Sequence, residues 1–181
     1  RLIGCHGTLV DPLRHQTMTK FQVHLIARGD DTTHVMKKDL VPHAQHPDYL
    51  TIKLRWSKTV KDERQAPRQM MFGAMHSDCC MLLSLSIWLE KWLQQEGATS
   101  QWLFSDGVTD SADNKKEQDA EPANCRRNHA NAMKDWVVDN TSFNKSDQPG
   151  CLGTHSARKF AAAACRSSGC LKDDANCRAR W

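Results

Sequence analysis

Apolar positions along this chain fall into two spacings, and each predicts a different kind of element. Residues 14–28 read as a helix carrying Phe21, Val23, Leu25 and Ile26, with Arg28 near its end. Asp30 to Thr33 either continue that helix or begin another. Pro42 and Pro47 bracket a loop rich in His and Gln. From Thr51 to Trp56, Ile52, Leu54 and Trp56 alternate with Lys53 and Arg55, the two-residue period of a half-buried strand. Lys61 to Arg64 make a polar turn. Gln65 to Phe72 return as a second strand, which Pro67 assigns to a sheet edge because proline has no N–H for a ladder.

The second half reads as helical. Residues 78–96 hold Leu82, Leu83, Leu85, Ile87, Leu89, Trp92 and Leu93, a broad apolar face stopped by Gly97. Trp88 and Trp92 belong to the core on this pattern. Residues 106–121 carry six acids, two lysines and few apolar groups, which suits an exposed loop or disordered insert. A helix about 125–139 follows, with Met133, Trp136, Val137 and Val138, and then a polar connection over 140–150. The alanine run 161–164 favours a closely packed helix that Ser167-Ser168-Gly169 terminates. Lys172 to Trp181 form a last short helix. The expected class is mainly α with a small antiparallel β-hairpin or sheet, in a single domain spanning 1–181.

Composition adds boundaries. A length of 181 residues suits one core, and 39% apolar with 25% charged residues is ordinary for a globular chain. The longest apolar run, Met81 to Leu89, is far short of the roughly 20 residues a bilayer requires. No membrane partner and no export are therefore expected. The net charge of +4 is unevenly placed: residues 151–181 hold six basic and two acidic side chains, enough to account for all of it. Lys159, Arg166, Lys172, Arg178 and Arg180 on these last helices are candidates for contacts to a phosphate backbone.

Eight cysteines invite a zinc module of Cys and His as one reading. No Cys-x2-Cys pair exists, however, and Cys165-x4-Cys170-x6-Cys177 lacks finger spacing, so no metal and no cofactor is expected.

Candidate chemistry begins at Gly153-Thr154-His155-Ser156-Ala157-Arg158-Lys159. His-x-x-Arg places an imidazole and a guanidinium one helical turn apart, with Thr154 as a good N-cap and a helix start that favours anions. Far upstream lie Arg28-Gly29-Asp30-Asp31, then Asp39-Leu40, then Lys58-Thr59, and Trp181 stands 26 positions after His155. In this order the motifs resemble the catalytic domain of tyrosine recombinases (phage-type integrases), and more closely the recombinase-like proteins of Crypton-type eukaryotic mobile elements.

The resemblance spans about 15–181 and implies a DNA breaking–rejoining core. DNA strands would be cleaved and rejoined through a 3′-phosphotyrosyl intermediate, giving recombination or integration. Arg28 and Arg158 would hold the non-bridging oxygens, and Asp31 would orient Arg28. Lys58, on the hairpin, would protonate the leaving 5′-oxygen, with Lys53 or Lys61 as alternatives for that role. His155 would steady a phosphate oxygen or take the tyrosine proton, and Trp181 would donate its indole N–H. The implied partner is double-stranded DNA, with copies of the chain assembling on it and no small-molecule substrate. The implied compartment is the nucleus of a eukaryote, or otherwise the cytoplasm.

The family's nucleophilic tyrosine lies past the third motif. Here the only tyrosine is Tyr49, and the first residue is not Met. The expectation is a fragment incomplete at both ends, with a catalytically inactive DNA-binding relic of a mobile element as the alternative.

Overall fold

The computed structural model describes residues 10–54, 68–94, 100–105, 115–140 and 153–179. It is mainly helical with a small antiparallel sheet, the class expected from the sequence. Among these residues the α-helices run in the order α1 (Val10–Leu25), α2 (Gly29–Thr33), α3 (Met81–Leu93), α4 (Lys115–Asn140), α5 (Thr154–Ser167) and α6 (Lys172–Ala179). Three strands, β1 (Leu40–Pro42), β2 (Leu50–Lys53) and β3 (Arg68–Met71), lie in that spatial order. Both pairings are antiparallel, with Leu40 opposite Ile52 and Ile52 opposite Gln69.

α1 is the central element, packed against α3, α4 and α5. Its Met18, Phe21 and Leu25 enter a core with Ile52, Leu54 and Met71 of the sheet side, Leu85, Trp88 and Trp92 of α3, and Phe104. Phe21 meets Phe104 edge-on with ring centroids 5.4 Å apart. Trp88 is fully buried and donates its indole N–H to the Leu103 carbonyl at 2.8 Å, so its polar atom is satisfied where its rings are dry. The opposite side of α1 offers Val23 and, just past its end, Ile26 to a smaller cluster with Ala161, Ala162 and Ala179. Alanines let α5 and α6 approach closely.

Several boundaries differ from the sequence reading. The first helix starts earlier and stops at Leu25, because Ile26 adopts a left-handed φ of 50° and breaks the run before Arg28. Asp30 to Thr33 thus open a new helix. β1 was not anticipated; it is a short edge strand on a segment read as motif and loop. α3 spans Met81–Leu93 after a 3-10 turn at Ser77–Cys79, and its apolar face is narrower than its composition suggests, since Leu83, Ile87 and Leu93 are exposed. The acidic stretch 106–121 is also corrected: residues 115–121 are the first turns of α4, which runs on through a buried Pro122. Glu121 there accepts a 2.9 Å hydrogen bond from the Ser100 hydroxyl. Residues 106–114 lie outside the described residues, as do the 61–64 turn, Pro67 and Gly97.

Candidate nucleic-acid interface

The Arg28-Gly29-Asp30-Asp31 corner is built by backbone capping. Arg28 is extended and serves as N-cap of α2, and its N–H donates to the buried Asp31 carboxylate at 3.0 Å. Asp31 accordingly fixes the main chain of Arg28. The Thr32 and Thr33 hydroxyls close the turn on the Arg28 and Gly29 carbonyls. Asp30 pairs with Arg126 of α4 at 2.6 Å, both about half exposed. This last contact ties the corner to α4, and Arg126 had no sequence signal because nothing near it in the chain marks its partner.

Against this corner stands the start of α5. A Cβ added to Gly29 would fall 2.7 Å from the Thr154 hydroxyl oxygen and 2.8 Å from the Thr154 Cβ. Glycine is required there by the approach of two elements, not by its backbone angles. The early arginine motif and the late Gly-Thr-His motif are therefore in van der Waals contact through the residues beside Arg28 and His155.

At this start Gly153, not Thr154, is the N-cap: the Ser156 N–H donates to the Gly153 carbonyl at 2.8 Å, and the Ser156 hydroxyl accepts from the Gly153 N–H at 3.3 Å. Thr154 becomes the first helical residue, which frees its side chain to pack on Gly29.

His155 and Lys159 are exposed. Arg158 points the other way. It is 1% exposed, and it donates to the Ala179 carbonyl at the end of α6 at 2.6 Å. One of its five donors thus anchors α6 beneath α5, which sequence spacing had not indicated.

The remaining basic residues divide. Arg166 and Lys172 are exposed. Arg178, expected on DNA, is half-buried instead: it donates to the Met70 carbonyl at 2.8 Å and to the His24 carbonyl at 3.3 Å, while Gln69 donates to the Arg178 carbonyl at 2.8 Å. Its charge knits α1, β3 and α6 together. Burial, followed by the Arg178 cation, lowers the pKa of His24 to about 4, so this ring is neutral at physiological pH. Lys58, Arg180 and Trp181 lie outside the described residues, as does Lys61.

At the base of the hairpin that would carry Lys58, Lys53 stands directly opposite Arg68. Like charges at a cross-strand pair are unfavourable unless an anion faces them. Tyr49 sits elsewhere, beside β2, with its ring near His46 and Phe72.

Among the described residues, no group of three or more His, Cys, Asp or Glu could hold a metal ion, and no helix is long and apolar enough to cross a membrane. Comparison with protein-family models and with curated protein sequences returns no match.

Proposed function

We propose that this chain is a DNA-binding strand-transfer domain of the tyrosine-recombinase type. The observation that carries the reading is the contact of Gly29 with Thr154, which sets the arginine corner beside the His155 helix start although the two lie far apart in sequence. Such a corner offers a cation at half-buried Arg28 with its main chain fixed, an exposed imidazole at His155 and the positive end of a 14-residue helix. The like-charged Lys53–Arg68 pair adds a second place that favours anions.

A backbone phosphate suits this combination. Arginine presents parallel N–H donors to two non-bridging oxygens and keeps its charge at every physiological pH. Arg28 takes one oxygen and His155 another, with Arg158 below the helix start stiffening it. Lys58 and Trp181 complete the cradle in this reading, and the hairpin lysine gives its proton to the departing 5′-oxygen. A tyrosine oxygen, which Tyr49 is not placed to supply and which this reading draws from outside the given residues, forms as phenolate the new bond to phosphorus while the bond to that 5′-oxygen breaks. DNA recombination or integration follows when a second strand's hydroxyl reverses the step, which places the work in a eukaryotic nucleus or otherwise in the cytoplasm, with copies of the chain assembled on duplex.

A second reading is a fold that binds duplex without cleaving it. The burial of Arg158 against Ala179 favours this reading, because a guanidinium anchoring α6 is a structural device whether or not phosphate is present.

Fluorescence anisotropy with labelled duplex, measured across a salt series, tests the proposal. The association constant should fall steeply with salt, the slope reporting the number of phosphates contacted. Arg28→Gln and His155→Gln should each weaken binding at least several-fold, while Arg127→Gln, on the exposed face of α4, should not. Absence of binding at low salt, or indifference to both substitutions, rejects the reading. With a tyrosine-bearing segment appended after Trp181, a covalent protein–DNA adduct on nicked duplex, seen on a denaturing gel, selects strand transfer over binding alone.

A further inference from the structure

α5 ends in a hydrogen-bonded motif whose two contacting side chains are both cysteines. The Cys170 N–H donates to the Cys165 carbonyl at 3.2 Å, and the Gly169 N–H donates to the Arg166 carbonyl at 3.1 Å. Gly169 is left-handed, with φ of 92°. This is a complete Schellman closure, in which the first residue past the left-handed position packs against the residue five before it. An apolar pair usually fills those places. Here they are thiols, both free, Cys165 half-buried on the Ala161–Ala162–Ala179 cluster and Cys170 exposed.

We propose that Cys165 and Cys170 form a redox-closable dithiol, a thiol–disulfide exchange site at the junction of α5 and α6. The assignment does not depend on the DNA reading. The backbone closure brings Cys170 back against the α5 end that carries Cys165, and the neighbouring Cys170, followed by burial, raises the pKa of Cys165. Cys170 is exposed, so it is the sulfur that a disulfide in solution reaches first. The other cysteines among the described residues are poorer sites. Cys125 is buried, its thiol pushed up to about 11 by desolvation, and its S–H is given to the Phe104 carbonyl at 2.8 Å. The Cys80 sulfur is buried and accepts from the Leu83 N–H at the start of α3. Cys79 and Cys177 are exposed without a thiol posed against them by a backbone closure.

The chemistry is balanced by a low-molecular-weight disulfide such as oxidised glutathione. The Cys170 thiolate bonds to one glutathione sulfur, the glutathione disulfide breaks, and the released thiolate takes up the proton that Cys170 gave. Cys165 then loses its proton, bonds to the Cys170 sulfur and expels the second glutathione as a thiol. Two electrons and two protons leave the protein, and one external disulfide becomes two thiols. The ring so closed spans only the α5 cap, and short loops gain little stability from a crosslink. That makes the bond a reversible switch more than a structural staple. Closed, it pins the α5–α6 junction whose far end receives Arg158.

The test uses the reduced 181-residue chain in glutathione buffers of increasing oxidation, quenched with acid, alkylated and mapped by peptide mass. The first disulfide to appear should join Cys165 to Cys170, lighter by two hydrogens and reopened by excess reduced glutathione. Cys165→Ser should trap a stable glutathione adduct on Cys170. In a second measurement, one equivalent of phenylarsine oxide, which bridges two thiols, should protect both residues from alkylation together. A lasting glutathione adduct on Cys170 in the unmodified chain, a first crosslink elsewhere such as Cys79–Cys80, or independent alkylation of the two residues in the presence of the arsenical overturns the proposal.

Discussion

The two faces of α1 are held by different physics. Toward α3 and the sheet, Met18, Phe21 and Leu25 meet Trp88, Trp92 and Phe104, and large dry side chains supply the cohesion. Toward α5 and α6, the buried apolar groups are Ile26 and the alanines, which offer little area. What binds that side is polar: Arg158 to the Ala179 carbonyl, Arg178 to the His24 and Met70 carbonyls, and Gln69 to the Arg178 carbonyl. Small residues bring the helices close, and charge-assisted hydrogen bonds then do what bulk does on the other side. The motif-bearing helix is thus mounted on the side whose stability rests on geometry.

Truncating the large-residue side should produce the largest change. Trp88→Ala removes a fully buried indole and its hydrogen bond to Leu103, and should cost about 3–5 kcal/mol in urea or thermal unfolding. A loss below about 1 kcal/mol would erase the contrast between the two sides.

Next comes acid. His15 on α1 and His129 on α4 stack with centroids 5.4 Å apart, and burial, followed by the neighbouring cations, lowers their pKa values to about 4 and about 3. The Arg14 cation acts on both rings, and His15 acts on His129; Arg14 and Glu121 both act on the adjoining Cys125. The His129 nitrogens are buried and find no hydrogen-bond partner among the described residues. Because the unfolded rings take up protons near pH 6.5 and the folded ones do not, the unfolded state binds more protons below that pH. Stability is therefore full above about pH 7 and falls as pH drops toward 4, by roughly 2 kcal/mol per ring at pH 5. His129→Phe, which keeps a ring in place, should flatten the pH dependence of the urea midpoint between pH 7 and 5. An unchanged slope would remove the buried pair from the acid response.

The smaller effect belongs to the polar side. Arg178→Met keeps most of the buried stem but leaves the His24 and Met70 carbonyls without their donor. The expected loss is about 1–3 kcal/mol, with hydrogen exchange rising in α6 and β3 before α3. Uniform exchange across both sides would show that α6 is not a separately held element.

Much of the architecture was legible because local periodicity carries it. The β2 alternation, the core tryptophans of α3 and the alanine-rich α5 with its glycine stop all follow from spacing and propensity. The end of α1 was not legible. Ile26 takes the left-handed place that Gly169 takes after α5, yet a β-branched residue gives no local warning of it. Its side chain is 3% exposed in the α5–α6 cluster, so tertiary burial offsets a backbone cost of order 1–2 kcal/mol. The acidic start of α4 misled about backbone: charge density argued for a loop, while residues 115–121 are helical and Glu121 meets Ser100 from another segment.

The candidate site divides in the same way. Residue types and their order along the chain singled out Arg28, His155 and Arg158, because chemistry of that kind is written in side-chain identity. Contact between Gly29 and Thr154, the inward turn of Arg158 and the diversion of Arg178 to main-chain carbonyls were decided by packing alone. Each depends on a partner more than 20 positions away, and no local pattern of hydrophobic and polar residues encodes which distant carbonyl or methyl a side chain will meet.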